Sequence, residues 1–557
     1  MYYAKDHVNN SNIPSMNGNG STTKAMPNSD SNNSNNMTPP DNTSNNNSVD
    51  TTTPPDKPNG NNSSIEMPNN TSTSNITWLY YVIFAIESLI ISILVIYLIM
   101  SKFNKKTFKE TITNKDKLII STLSTIILTA GLTYLDAIVT NNYFLKSNNK
   151  NQNTNMNTQT IVTYSAKEKI TENKTITAGE YSSTKEDENA ILVTGDIDVD
   201  ISNVKLTKTK DSTGVDNTSF YGNNSAILAK SGAKLNLKNI TVNTNATGAN
   251  GVFCYGGSAT TSNSSSDGTT VTVSDSTITT TKDNSGGIMT TGGGTTKANN
   301  LTINTSGISS AAIRSDRGGG EVNVTGGIYT TTGKGSPSIY STANINVSKA
   351  KLISKVAEGI VIEGKNSVTL NNTTLTDTNS KLNGQSTTYK NIFLYQSMSG
   401  DADTGNSTFT AKNSKITTNK GDTLYVTNTT SVINLENNTF INNDSTANFL
   451  RAQKDSWGTS GSNGGKVTLI MKNQKAVGNI VIDSISTLNM TIKENSYYEG
   501  TINKANSTKS IKLTLSKNSL VKLTGDSYIS SLNNADSTNS NIDFNGYKLY
   551  VNNKAIN

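Results

Sequence analysis

Val271-Thr-Val-Ser-Asp-Ser-Thr-Ile278 and Asn344-Ile-Asn-Val-Ser-Lys-Ala-Lys-Leu352 are two copies of one short unit in which apolar residues alternate with Thr, Ser, Asn or Lys. A period of two is the pattern of a strand with one face buried and one face in water. Related stretches follow one another from about Thr160 onward. They include Leu235-Asn-Leu-Lys-Asn-Ile240, Val322-Asn-Val-Thr-Gly-Gly-Ile328, Val368-Thr-Leu-Asn-Asn-Thr-Thr-Leu375, Phe409-Thr-Ala-Lys-Asn-Ser-Lys-Ile416, Val432-Ile-Asn-Leu435 and Val467-Thr-Leu-Ile-Met471. Equivalent positions at Val273, Ala298, Val324, Val347 and Leu370 recur roughly every 23 to 26 residues, a spacing that marks a solenoid.

One such coil cannot bury its own apolar edge, so coils must stack through parallel strands about 4.8 Å apart around a narrow core of Ile, Val and Leu. The fold class expected is therefore all-β, a right-handed parallel β-helix over residues 160–557. Gly292-Gly-Gly294 and Gly318-Gly-Gly320 read as corners where the backbone turns at positive φ. The longer gaps between Ile240 and Val271, Leu375 and Phe409, and Phe440 and Val467 read as inserted loops, the places where function resides in repeat folds.

Only 33% of the 557 residues are hydrophobic and 6% aromatic, which argues against a large globular core. A β-helix tolerates this, because backbone ladders between coils hold it together and one side chain in two faces water. The net charge of +7 comes mainly from dispersed lysines and reads as a solvated surface. Arginine occurs only at Arg314, Arg317 and Arg451, so nucleic acid is not an expected partner; anionic wall polymers suit such a surface better. The single cysteine, Cys254, lies in an apparent strand and is expected to be buried and inert.

Residues 1–76 are rich in Asn, Ser, Thr and Pro and carry the composition of a disordered tail. No basic and apolar leader with a cleavage site begins at Met1. Residues 77–140 read as a transmembrane hairpin. The apolar runs 78–100 and 118–139 are long enough to span a bilayer, and the loop 101–117 carries six lysines against Glu110 and Asp116, which retains it in the cytoplasm. Both ends of the hairpin then face outward, with Trp78, Tyr80 and Tyr81 at the outer interface. Glu87, within the first span, is expected to be protonated and hydrogen-bonded to the second helix. Residues 141–159 form a polar linker to the β-helix. The expected location is the cell membrane, with two helices and with the tail and β-helix outside.

Chemistry is sparse. His7, the only histidine, falls in the tail, which removes Ser-His-Asp and Cys-His catalysis and His-ligated zinc from the solenoid. The best catalytic candidate is the corner Arg314-Ser-Asp-Arg317, where Asp316 would hold a cation and an arginine would act as base, as in a lyase. A salt bridge within the corner accounts for the same residues. Asp401 and Asp403 alternate as in calcium loops but lack the downstream Glu of an EF-hand, and a hydrogen-bonded turn is the simpler reading. No cofactor is expected, calcium being the one candidate ion. The loop aromatics Tyr221, Tyr389, Tyr395 and Trp457 are candidates for stacking on sugar rings, against the alternative that they pack over corners of the solenoid.

Five blocks, Ser315-Asp-Arg-Gly-Gly-Gly320, Gly335-Ser-Pro-Ser-Ile-Tyr-Ser-Thr342, Ile362-Glu-Gly-Lys-Asn-Ser367, Tyr395-Gln-Ser-Met-Ser-Gly-Asp-Ala402 and Gly461-Ser-Asn-Gly-Gly465, resemble segments of bacterial adhesin-like surface proteins with a pectate-lyase-like β-helix. The resemblance covers roughly Glu188 to the C-terminus and implies the fold more strongly than a function, since no catalytic set carries over. The expectation is a non-enzymatic adhesin or carbohydrate-binding surface protein, with cell-wall glycans, host glycans or surface proteins as partners. A polysaccharide lyase or related carbohydrate-active enzyme is the alternative, and a structural envelope spacer is the second.

Overall fold

The computed structural model describes residues 162–257, 265–384, 386–508 and 510–557. The tail, the hairpin and the linker lie outside the described residues. Among the described residues, no helix is long and apolar enough to cross a membrane.

Through most of the described residues each coil contributes three strands, one to each of three long parallel sheets, and the C-terminal coils place strands in a further four-stranded and a three-stranded sheet. In one three-strand coil these are Ile288–Thr291, Gly294–Asn299 and Thr302–Thr305, after which Ile313–Ser315 starts the next coil. We name the sheets first, second and third in that order. Among the described residues they hold 12, 14 and 10 strands. The register matches the repeat read from the sequence: Val273 pairs with Ala298, Ala298 with Val324, Val324 with Val347 and Val347 with Leu370. Side chains of these residues point inward and belong to one continuous apolar core. Each fully buried Val, Leu or Ile contributes about 1.5–3 kcal/mol relative to exposure, so the stack is stabilised coil by coil.

The corner between the second and third sheets turns on single residues at positive φ, most often asparagine, as at Asn239, Asn300, Asn372, Asn413 and Asn437. Asparagine tolerates this left-handed conformation better than other side chains with a Cβ. Successive amides also bond one another: the Asn437 side chain donates to Asn413 Oδ1 at 2.7 Å. The glycine corners lie between the first and second sheets, with Gly318 and Gly319 at φ of 83° and 57°.

Each of the longer gaps holds a strand of the first sheet: Val252–Tyr255, the strand expected around Cys254, and Lys390–Tyr395 and Leu450–Ala452, which the sequence reading left within loops, with long turns around them. Phe220 and Tyr221 belong to a short helix, Val215–Tyr221, that stops at Gly222 in the left-handed conformation. Phe220 is buried, and a Cβ at Gly222 would lie 2.7 Å from both Leu228 and Phe253. Cys254 is buried as expected, and burial pushes its thiol up to about 12. At the other end of the ladder, Leu549–Val551 pairs antiparallel with Lys554–Ala555.

Candidate functional site

The outer face of the first sheet is not open to water. Its register places Met289, Arg314, Tyr340, Val361, Phe393 and Tyr425 in one outward-pointing row. The row is covered by the short helix and by the segments 396–405 and 454–463. An exposed sheet face of this size would leave a large apolar patch, and covering it removes that patch from solvent. Two aromatic and apolar clusters fill the space beneath the cover.

Tyr395 and Trp457 belong to one of these clusters, so neither offers a ring face for sugar stacking. Tyr395 stacks on Phe393 at 4.6 Å between ring centres, and Trp457 meets Tyr395 edge-on at 6.2 Å. The Trp457 indole donates to the Gln396 carbonyl at 3.0 Å, and only 5% of the residue is exposed. A loop aromatic reaches this position because the loop folds back over the sheet. Tyr221 and Tyr389 are half-buried. Tyr221 packs edge-on to Tyr255, and the Lys420 ammonium lies 3.7 Å from the centre of the Tyr389 ring.

The Arg-Asp corner is the polar part of the same covered face. Arg314, 1% exposed, donates to Asp316 Oδ2 at 3.0 Å, to the Ser309 carbonyl at 3.0 Å and to Ser219 of the helix at 3.4 Å. Arg317 donates to Asp401 Oδ1 at 2.7 Å and lies over the Phe220 ring at 4.0 Å. Lys365 bridges Asp403 at 2.7 Å. Asp401 and Asp403 are thus each paired with a cation from another turn. Among the described residues no three His, Cys, Asp or Glu side chains come together in a way that could hold a metal ion.

Sequence reading missed Glu363, the charged end of the strand Ile360–Glu363. It accepts hydroxyls from Tyr340, Ser397 and Tyr395, the last at 2.8 Å. Burial outweighs those donors and pushes its carboxyl from the ordinary 4.5 up to about 7. Burial likewise pushes Asp316 up to about 7, against the pull of Arg314. A raised folded-state value stabilises the protein at low pH and is lost as pH rises from the unfolded value, near 4, through about 7. Glu363→Gln should therefore flatten part of this dependence. Between pH 5 and pH 7.5 the wild type is expected to lose more melting temperature than the variant, and parallel curves would contradict the assignment.

What remains open is the corner beside this face, between the first and second sheets. A hollow of about 340 Å³ is floored by Gly318, Gly319 and Gly320 and walled by Glu321, Asn344, Lys365, Asp401 and Asp403. A second, of about 220 Å³, lies beyond the segment 401–405 and is lined by Asn406, Asn428, Ser462 and Lys466. That segment is the saddle between them: Lys365 N–H donates to the Asp403 carbonyl at 2.9 Å, and Gly405 packs against the Lys365 side chain. The floor must be glycine, since a Cβ at Gly320 would lie 2.3 Å from the Gly294 carbonyl.

A stacked parallel β-solenoid with one covered sheet face and a polar corner beside it is the class that the fold and this site define. No family model, curated protein or solved structure matches the chain.

Proposed function

We propose that this chain is a non-enzymatic carbohydrate-binding protein of a cell surface, a pectate-lyase-like β-helix that takes a glycan chain along its polar corner. The observation that carries the reading is the pair of neighbouring hollows on one corner. Their walls offer amides, hydroxyls, carboxylates and lysines, the groups that exchange hydrogen bonds with sugar hydroxyls, and together they suit successive units of one polymer. The apolar segments 78–100 and 118–139 would tether the β-helix to the membrane.

A carbohydrate-active enzyme is the second reading, favoured by Asp316 and Glu363, two carboxyls shifted to about 7 behind the larger hollow. It ranks below the first because both residues are buried and hydrogen-bonded, and the candidate base Arg317 is engaged with Asp401.

The test is binding of the full-length chain to purified wall polymers and host glycans, with product release followed in the same samples. Asn344→Ala and Asn406→Ala, one in each hollow, should each weaken binding by about tenfold, the equivalent of one good hydrogen bond. Release of unsaturated or shortened sugars would establish the enzyme instead. Absence of binding to any polymer or cell would leave the envelope spacer.

A further inference from the structure

A second polar feature lies away from the corner groove, where the third sheet turns back toward the first. The last residue of each third-sheet strand forms a register row running Ser183, Lys208, Thr244, Thr280, Thr305, Thr331, Ser354, Asp377, Thr418 and Asn442. Several members of this row give a hydrogen to a backbone carbonyl of the following turn. Thr280 donates to Ser285 O at 2.5 Å, Thr305 to Ser310 O at 2.5 Å and Ser354 to Ala357 O at 2.9 Å. Lys208 does the same with a positive charge, its ammonium donating to the carbonyls of Lys185 and Lys210 at 2.5 and 2.9 Å. At Ser183, Lys208, Thr280, Thr305 and Ser354 this turn presents acceptors to the row, whereas the Thr244 and Thr331 hydroxyls have no partner among the described residues and Thr418 accepts from the Asn391 amide.

Asp377 differs from the donors of this row, because an ionised carboxylate has no hydrogen to give. One of its oxygens accepts from the Asn379 N–H at 3.3 Å, and the other, Oδ1, has no hydrogen-bond partner in the protein. Asn379 spends its side-chain N–H on the Lys390 carbonyl at 2.9 Å, and its own Oδ1 is likewise without a partner. The neighbouring carboxylate is Glu358, 1% exposed, whose Oε1 is the third orphan. Burial first and the Glu358 charge second push the Asp377 carboxyl well above its ordinary range. Lys390 answers the deficit only in part: its charge favours the ionised form of Glu358, but its ammonium donates to Ser386 and to the Thr388 carbonyl and lies over the rings of Phe393 and Tyr425. Among the described residues neither carboxylate forms an ion pair.

Buried polar atoms are almost always satisfied, and three acceptor oxygens left without donors on two successive turns, Glu358 from one and Asp377 and Asn379 from the next, are a coherent exception. We propose that a dehydrated hard cation of the calcium class is bound between these turns by Asp377, Glu358 and Asn379. Carboxylate, amide and carbonyl oxygens are the ligands such an ion takes, six to eight of them in the case of calcium. Backbone carbonyls of the turn would complete the shell, as they surround the Lys208 ammonium in the earlier coil. The site would lock the turn between the strands Thr374–Asp377 and Lys390–Tyr395 more firmly than hydrogen bonds alone, and it is separate from Asp401 and Asp403.

The test uses the full-length chain, stripped with a chelator and then titrated with calcium, magnesium, sodium and potassium. Millimolar calcium is expected to raise the melting temperature by several degrees and the chelator to reverse it. Asp377→Thr restores the hydroxyl that neighbouring coils use, so it should fold and lose the calcium response. The isosteric Glu358→Gln should fold and need about tenfold more calcium for the same rise. A wild type indifferent to all four ions overturns the proposal. So does a wild type whose stability rises on acidification with no cation dependence, since a proton would then fill the gap. A full calcium response surviving in Asp377→Thr would place the ion elsewhere and overturn it too.

Discussion

Val347→Asp is expected to cost on the order of 3–5 kcal/mol, and Asn346→Asp, one residue away, close to nothing. Val347 is 2% exposed and pairs with Val324 on one side and Leu370 on the other, so an aspartate there is an unpaired carboxylate between stacked coils. Asn346 points outward, and its amide donates to Asn323 Oδ1 at 3.1 Å in a solvated ladder. Because each coil contacts mainly its neighbours, the damage should be local before it is global. Amide exchange is expected to accelerate first in strands Gly320–Thr325, Asn344–Ser348 and Ser367–Asn371, and the urea midpoint should fall. Equal losses from the two substitutions would mean that the inside and outside of the second sheet are exchanged.

That register was legible in the sequence, and the reason is physical. Strands of the second and third sheets have one face in the core and one in water, and they alternate visibly, as in Val271-Thr-Val-Ser. Most first-sheet strands are buried on both faces. Ile360–Glu363, Lys390–Tyr395 and Asp422–Thr427 are buried at every position and show no alternation, so Lys390–Tyr395 is hidden in a stretch that reads as an inserted loop. The cover over this sheet is the reason, and a cover is a tertiary fact with no local pattern.

The site was legible in part for the same reason. Arg314, Asp316 and Arg317 stand out because arginine is scarce, and the salt bridge of Arg314 with Asp316 is one of the two pairings that the sequence left open. The partner of Arg317 is Asp401, 84 residues further on, which no spacing could have supplied. Glu363 and Asp377 escaped notice because a single acid in a strand carries no signal until its neighbours are known. Their partners come from other coils, and the solenoid alone brings those coils together.

Trp457→Ala is expected to destabilise the covered face by about 3–5 kcal/mol, the usual cost of removing a large buried aromatic. The indole closes the cluster of Tyr340, Val361, Phe393, Tyr395 and Tyr425, and its N–H holds the Gln396 carbonyl at the start of the segment that later forms the saddle. Asn463 adds a second tie, its side chain donating to the Trp457 carbonyl at 2.6 Å. Without the ring, segment 454–463 loses its anchor and the saddle at 401–405 loses its support. Glycan binding in the corner should then fall together with thermal stability, and exchange should accelerate in both segments. Tyr389→Ala removes a half-buried ring outside that cluster and should change stability far less. If Trp457→Ala instead kept its melting temperature and lost binding alone, the indole would be a sugar-contacting residue that leaves its buried seat, and the covered face would be a gate over the binding site.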